Sequence, residues 1–411
     1  MKTTLAALLL LTASVFAQSP AEIAVAAAQK AIEKRPAQSS GYNMLAVALA
    51  RRARETSDVN FYTQAEDALK KSVELAPGNF EAEKLHVWLL LGRHEFAAAL
   101  DAAKPLNQKM PDDVLVYGFI TDANVELGNY DEAEKSAQWM LNLRPGNLPA
   151  LTRAAYLREL FGDIDGAYEL MQMALQGTPP TENEDRAWIL NQLAHLDLVS
   201  GKIDDAESVL KQALISFPGY HYALGNLAKV RIQQKRYAEA VDLLQQRYQA
   251  APHAENLYDL AAALGLAGRN SEAQTMFAEF EKESLAETTK ADNSNHELVF
   301  YYADYANQPV KALEVAQREY ARRHDVFTLD AYAWALHKNG QDAEGRKQIE
   351  AALAVRVRDA KLFRHAGEIA LKLGDQKAAE SYLQTAANFN APGSGEASIL
   401  LAWLAAQKTQ R

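Results

Sequence analysis

The fold is decided by the stretch Gly128-Asn129-Tyr130-Asp131-Glu132-Ala133, because variants of it recur along the chain. In each copy a glycine or polar residue opens a short turn, an aromatic or aliphatic residue follows, and a small residue comes three positions later. The clear copies end at Ala133, Ala167, Ala206, Ala240, Ala273 and Ala379, and looser copies end at Ala65, Ala97, Ala312 and Gly345. From Ala97 onward the copies lie 33 to 39 residues apart. A period in this range indicates an array of repeated supersecondary units.

Each period contains two predicted helices. Between Ala187 and Pro218, the first helix places Leu190, Leu193 and Ala194 on one face. The second helix places Ala206, Leu210 and Ala213 on one face, at the spacing of four and three that a buried helical stripe requires. Proline recurs just after the second helix, where it cannot continue the hydrogen-bond ladder, at Pro77, Pro111, Pro145, Pro179, Pro218 and Pro252. The sequence therefore predicts an all-α array of antiparallel helix pairs.

This pattern resembles the tetratricopeptide repeat (TPR) family from about Ala24 to Ala391. The resemblance implies a right-handed superhelical solenoid with one long concave groove, formed by a single elongated domain over residues 18–394. We count ten helix pairs. Ala21–Arg35 matches the second half of a repeat, and Gly395–Gln407, within a C-terminal capping segment 395–411, matches an unpaired closing helix. Such caps cover the apolar ends of a stacked array.

Two repeats carry extra polar residues, around Thr178–Asp185 and around Glu283–Asn295. Both insertions lie between predicted helices. Surface loops tolerate insertions at small entropic cost, so tolerated insertions, hinges and binding loops all remain open interpretations. The second insertion, residues 283–295, is also a candidate hinge between two subarrays.

The N-terminus has the layout of a secretory signal peptide. Lys2 supplies a positive charge, Leu5–Leu11 is an apolar run too short to span a bilayer, and Val15-Phe16-Ala17 is a small-residue cleavage site. A buried first helix or a retained anchor is the alternative. We expect residues 1–17 to be removed, and the mature protein to be periplasmic or secreted without a stable membrane anchor.

Composition and motifs argue against catalysis, cofactors and metals. The chain has no Cys, so disulfides and thiolate chemistry are absent. It has no glycine-rich phosphate loop, no Gly-x-Ser-x-Gly elbow and no complete His-Glu-x-x-His helix: the partial matches at His94 and His296 fail at Ala98 and Phe300. The formal net charge of -10 is poorly suited to binding nucleic acid. We therefore predict a non-enzymatic binding protein without cofactors, and we leave its oligomeric state open.

The predicted binding surface is the inner side of the first helix in each pair, since these helices line the concave face of a repeat superhelix. Its residues combine tyrosine, amides and mixed charge, which suits an extended peptide. The candidate groove residues are Arg153, Tyr156, Asn191, Gln192, His195, Tyr222, Asn226, Lys229, Tyr258, Asp259, Tyr301, Asp304, Tyr305, Asp330, Trp334, His337 and Arg364. Individual tyrosines in this set could instead pack between repeats.

Two known variants of the family are not matched. The positions Gly118, Asp122, Arg153, Trp188 and Gln192 lack the lysines and most of the amides of a carboxylate clamp. Asn226 alone matches the asparagine ladder of the sugar-transferase arrays. The leading hypothesis is an exported scaffold that binds protein or peptide segments of unknown identity. The alternative is a glycan-binding module of the cell envelope, because aromatic faces also stack on sugar rings.

Overall fold

The computed structural model describes residues 19–56, 58–290, 293 and 295–409, so the predicted signal peptide lies outside the described residues. All regular structure in the described part is helical, with a π-helical turn at Tyr301–Tyr305. The helices are α1 (Pro20–Lys34), α2 (Ser39–Thr56), α3 (Asn60–Leu75), α4 (Phe80–Gly92), α5 (Phe96–Lys109), α6 (Val114–Glu126), α7 (Tyr130–Leu143), α8 (Leu148–Leu160), α9 (Ile164–Gly177), α10 (Asn183–Val199), α11 (Ile203–Ser216), α12 (His221–Gln233), α13 (Tyr237–Ala250), α14 (Ala254–Leu266), α15 (Asn270–Glu287), α16 (Asn295–Phe300), α17 (Pro309–Tyr320), α18 (Val326–Lys338), α19 (Asp342–Ala354), α20 (Ala360–Lys372), α21 (Gln376–Asn388) and α22 (Ser394–Thr409).

The helices form ten consecutive pairs, from α2 with α3 to α20 with α21, and we number these pairs as repeats 1 to 10. The first helix of each repeat is called its A helix and the second its B helix. Helix α1 packs on α2 as an unpaired B helix, and α22 packs on α20 and α21 as an unpaired A helix. The predicted all-α solenoid of ten helix pairs with terminal caps is confirmed.

Local sequence sets the ends of these helices. Asn79, Asp113 and Asn147 precede α4, α6 and α8, and their side chains accept backbone N–H groups of the first helical turn. Gly128 ends the turn after α6 at a φ of 75°, a left-handed angle that glycine adopts without steric cost. Its N–H donates to the Val125 carbonyl at 3.0 Å, and the next N–H donates to Asn124, which closes the helix end.

The core of each repeat follows the predicted small-residue contact. In repeat 5, Ala194 of α10 faces Ala206, Leu210 and Ala213 of α11, and all four side chains have no exposed surface. Because alanine has little side-chain bulk, the two backbones approach closely, and larger residues such as Leu190 and Leu198 fill the sides of the contact.

Both insertions make specific contacts. The first lengthens α10 at its N-terminus and places Glu184 against Arg54 of α2, with Nη2 and Oε2 2.8 Å apart. Near the second, Asn295 donates to Thr288 and to Glu319 of α17, and Arg322 donates to Thr289. These bonds tie the described residues of the second insertion to α17, and a hinge at 283–295 stays a prediction.

The superhelix returns onto itself, so that later repeats contact earlier ones. Gly128 in the turn of repeat 3 meets His324 before repeat 9, and Gly162 in repeat 4 meets Arg356 before repeat 10. Gly201 in repeat 5 meets Asn390 before α22. At these three glycines an added Cβ would lie 2.7, 2.8 and 3.0 Å from the facing carbonyl oxygen. We call this line of contacts the seam.

Polar and apolar groups join the two sides of the seam. The His324 N–H donates to the Glu126 carbonyl at 3.1 Å, and the Val326 N–H donates to the Tyr130 hydroxyl at 2.9 Å. Beneath these bonds, Val125, Leu157 and Leu160 share one apolar cluster with Val326, Leu329, Val357 and Leu362. The expectation of an elongated array with an open groove is therefore wrong, because this contact between turns encloses the concave side.

Candidate functional site: the inner wall of the superhelix

The A helices line the inner wall in rows, because equivalent side chains recur once per repeat. Positions 34 residues apart in α4, α6 and α8 point to the same side, and the first insertion lengthens the next step to 39 residues. One row consists of Trp88, Asp122, Tyr156, His195 and Lys229, and a second consists of Leu85, Phe119, Arg153, Gln192 and Asn226.

The N-terminal part of this wall is a cavity of about 590 Å³, which we call the apolar chamber. Five A helices, α2, α4, α6, α8 and α10, converge on it. Leu115 is 40% exposed and Tyr156 37% exposed, although both belong to the wall of an enclosed space. The apolar and aromatic side chains that line it are Val47, Leu85, Trp88, Leu115, Phe119, Leu148, Pro149, Tyr156, Trp188 and Ile189.

Four cations also line the apolar chamber, and three of them are neutralised by the protein itself. Arg153 binds Asp122 (Nη2–Oδ2, 2.5 Å) and donates to the Gly118 carbonyl at 3.0 Å. Gly118 makes this possible, since a Cβ there would lie 2.9 Å from the Arg153 guanidinium carbon. Arg54 pairs with Glu184 and Asp185.

Lys84 is the third neutralised cation, paired with Asp113 and Glu81 at 2.9 and 3.1 Å. The fourth, Arg51, is exposed to the chamber and forms no ion pair with any described residue. The free charge of the chamber is therefore positive, although the chain as a whole carries a net charge of -10.

The next part of the wall is a cavity of about 370 Å³ with polar walls, which we call the polar chamber. Asn226 donates to Asn191 at 2.9 Å, and Arg247 binds Asp259 and Glu255 at 2.5 and 3.1 Å. Burial lowers the pKa of Lys229, which lines this chamber. Burial and the charge of Glu297 raise the pKa of Glu255.

A carboxylate next to the seam is also perturbed. Burial and the negative charge of Asp325 raise the pKa of Glu126 to about 7, against an opposing effect of Arg323, whose Nη1 lies 3.2 Å from Oε2. Burial also raises the pKa of Tyr156 well above its ordinary value. The proton on Glu126 is therefore coupled to the contact between the two turns.

Many of the predicted groove residues lie in the two chambers. Arg153 and Tyr156 line the apolar chamber. Those in the polar chamber are Asn191, Gln192, His195, Tyr222, Asn226, Lys229 and Asp259. Asn191 and Asn226 are 4% and 8% exposed, so they bond each other rather than offering free amides. His195 binds Glu159 at 2.8 Å.

The predicted tyrosines of repeats 7 and 8 form an aromatic cluster. Tyr258 and Tyr301 pack against Phe280 with ring centroids 5.4 and 5.7 Å apart, and Tyr305 contacts Phe277 at 4.5 Å. The hydroxyl of Tyr301 points to Glu281 of α15. The groove-facing assignment of Tyr301 is therefore wrong, whereas Tyr305 remains 52% exposed.

Trp334 and Asp330 are also corrections, since they are 1% and 4% exposed. The Trp334 ring stacks on His365 with centroids 4.0 Å apart, and its Nε1–H donates to Asp304 at 3.0 Å. Asp330 accepts from Nδ1 of His365 at 2.7 Å. Neighbouring repeats thus cover these two side chains.

The remaining predicted residues of repeats 9 and 10 satisfy each other's charges. His337 binds Asp342 at 2.5 Å, and Arg364 forms an ion pair with Glu368. Asp304, besides its bond from the indole of Trp334, lies 3.0 Å from Nζ of Lys338. These contacts assign a structural use to residues that the sequence pattern placed on the groove.

The sequence analysis missed most of the apolar chamber. Trp88 and Leu115 were not selected because the candidate set began at repeat 4. The available signal was the 34-residue step, which leads back from Tyr156 to Asp122 and Trp88. Trp188 appeared only as a mismatch to a carboxylate clamp.

Two further searches of the described residues bear on chemistry and location. No group of three or more His, Asp and Glu side chains there could hold a metal ion. Within the same ranges, no helix combines the length and the apolar character needed to cross a membrane.

Comparisons with known proteins agree with this geometry. A family model described as tetratricopeptide repeat matches residues 191–255. TPR repeat-containing protein MJ1428 of Methanocaldococcus jannaschii is 30% identical over 156 residues, a match covering 37% of this chain and 26% of that protein. The match thus spans about a quarter of the length of that relative.

Solved structures with the same fold include the human IFIT1 dimer with m7Gppp-AAAA, at a TM-score of 0.52, and the same dimer with PPP-AAAA, at 0.50. Each is 13% identical, and each alignment covers 91% of this chain and 96% of the other. At this identity the likeness shows the fold alone. Together with the ten helix pairs, these findings define a helical-repeat protein of the scaffold type. The chain is a tetratricopeptide repeat protein.

Proposed function

We propose that this protein is an exported, non-catalytic scaffold that holds a segment of another protein inside its superhelix. The supporting observation is the apolar chamber, where five A helices present exposed apolar side chains to an enclosed space. Contiguous exposed apolar surface of this kind marks binding sites more often than it occurs by chance. The adjoining polar chamber would take the charged part of the same segment.

A photo-crosslinking amino acid at position 115 tests this proposal in envelope extract. The matched control carries it at Ile215 on α11, which is 79% exposed and lies outside both chambers. We expect a discrete protein adduct from position 115, mapped by mass spectrometry to one segment of one partner, and no such adduct from position 215. Equal labelling from both positions would contradict the proposal.

The same experiment judges the glycan alternative. Stacking on sugar rings needs open aromatic faces, and Trp334, one of the expected faces, is covered by His365. An envelope glycan retained by the chambers, without any protein adduct, would place the glycan-binding function first.

Export is part of the proposal and rests on Lys2, the apolar run Leu5–Leu11 and the site before Gln18. N-terminal sequencing of the protein from cell fractions tests it. A periplasmic or secreted product that begins at Gln18 is expected. A cytoplasmic product that retains residues 1–17 would refute this part.

A further inference from the structure

We infer that the apolar chamber selects a segment in which apolar side chains are accompanied by a carboxylate, and that Arg51 is the residue that reads this carboxylate. The inference rests on the proposed function, since it specifies the chemistry of the segment that the scaffold would hold. It concerns Arg51, Leu115, Trp88 and Trp188, to which the sequence pattern assigned no binding role.

The first argument is the character of the wall. Trp88, Trp188 and Tyr156 come from α4, α10 and α8, and with Leu115 and Phe119 they surround the same space of about 590 Å³. This volume lies within the range of about 300–1,000 Å³ that is typical of ligand pockets. Large aromatic side chains in such a space favour apolar ligand groups, because burying apolar surface removes it from water.

The second argument is the charge left over inside the chamber. The carboxylates Asp122 and Asp185 are held by Arg153 and Arg54, at 2.5 and 3.5 Å. Arg51 has no carboxylate partner among the described residues, and it lies one helical turn after Val47 on the chamber side of α2. A ligand carboxylate would supply the missing partner, and a ligand ammonium group would face an uncompensated like charge.

The third argument is that the neutralised cations are fixed in place. Arg153 has four bonds to Gly118, Asp122 and Pro149, and Arg54 has two bonds to Glu184. A ligand would have to break these bonds to use either guanidinium. Arg51 offers its charge without that cost, so discrimination by charge depends on Arg51.

Two blocked octapeptides provide the probes. Both consist of leucine and phenylalanine with one central ionisable residue, which is glutamate in the first peptide and lysine in the second. Binding to the mature protein is followed by tryptophan emission, because Trp88 and Trp188 line the chamber and the peptides contain no tryptophan. The variants are Arg51→Gln and, as a matched change of charge, Arg144→Gln in the exposed loop after α7.

The glutamate peptide is expected to bind the wild-type protein about tenfold more tightly than its lysine twin. Arg51→Gln should reduce this ratio to about one, and Arg144→Gln should leave it unchanged. Circular dichroism verifies that both variants are folded. Equal affinity for the two peptides in the wild-type protein, or a ratio that survives Arg51→Gln, overturns the inference.

The result also separates this inference from the proposed function. If cross-linking from position 115 captures a partner equally well with and without Arg51, the scaffold function stands and the carboxylate preference is wrong. If neither peptide binds and decanoate does, the chamber holds a lipid chain, and both proposals fail.

Discussion

The seam makes a quantitative prediction through two glycines with the same backbone angle. Gly128 and Gly268 occupy equivalent turns in repeats 3 and 7, and both have a φ of 75°. An alanine at either site adopts a left-handed conformation at a cost of about 1–2 kcal/mol. The two sites differ in their surroundings. A Cβ at position 128 would lie 2.7 Å from the His324 carbonyl oxygen, whereas nothing lies within 4 Å of a Cβ at position 268.

The contact at position 128 joins two backbones, so no flexible side chain can move away. Separating them costs about 1–3 kcal/mol by analogy with overpacked cores. The nearby bond from the His324 N–H to Glu126 contributes about 1 kcal/mol more if it breaks. Gly128→Ala should therefore destabilise the protein by about 2–4 kcal/mol more than Gly268→Ala does.

Thermal unfolding followed by circular dichroism compares the two variants, and hydrogen exchange gives the local measurement. In Gly128→Ala the His324 amide should lose protection, because its acceptor Glu126 lies across the seam. In Gly268→Ala that amide should remain protected. If both variants lose the same stability and His324 stays protected in both, the seam does not exist in solution.

Two further predictions concern proton coupling and packing. Because the pKa of Glu126 is raised to about 7 from 4.5, the proton is bound more tightly in the folded state, and the resulting stability is fully present below pH 4.5 and lost as pH rises through 7. Glu126→Gln should remove this component, at most about 3 kcal/mol, from the pH dependence of unfolding, and an unchanged wild-type profile in the variant would contradict the assignment. Leu210 has no exposed surface, so Leu210→Ala should cost about 2–5 kcal/mol in denaturant unfolding. Leu266→Ala, at a side chain that is 51% exposed, should stay within about 0.5 kcal/mol of wild type, and equal losses would refute the packing argument.

The sequence was sufficient for the features that local chemistry determines. The positions of Ala194, Ala206 and Leu210 predict the contact within repeat 5, and that contact is present with no exposed surface at any of the three. The unpaired helices at both ends also follow from the period alone, because half a repeat remains on each side of the ten pairs.

The exposure of wall residues could not be read from the period. Tyr156 and Trp334 hold the same place in α8 and α18, yet they are 37% and 1% exposed. The difference comes from His365 of the following repeat, which covers Trp334 and has no counterpart over Tyr156. At Tyr301 the helix changes to a π-helical turn, which alters the angle between successive side chains and turns this ring toward α15.

The seam itself has no local signal in the sequence. Gly128, Gly162 and Gly201 belong to the same motif as Gly268 and Gly374, and the first three alone approach another turn. Their contacts depend on the accumulated rotation of several repeats, a small quantity at each step that no single residue determines.

The return of the chain onto itself changes how this array should unfold. A linear array of repeats behaves as a chain of nearest neighbours, so that its ends can fray independently and shortened versions still fold. Here Arg323 and Glu126 are 197 residues apart in sequence and form an ion pair, and the apolar cluster beneath them draws on repeats 3, 4, 9 and 10. Loss of the last repeats would expose Val125 and Leu157 near the other end of the chain. The ends are therefore thermodynamically linked, and the smallest cooperative unit extends from repeat 3 to the closing helix.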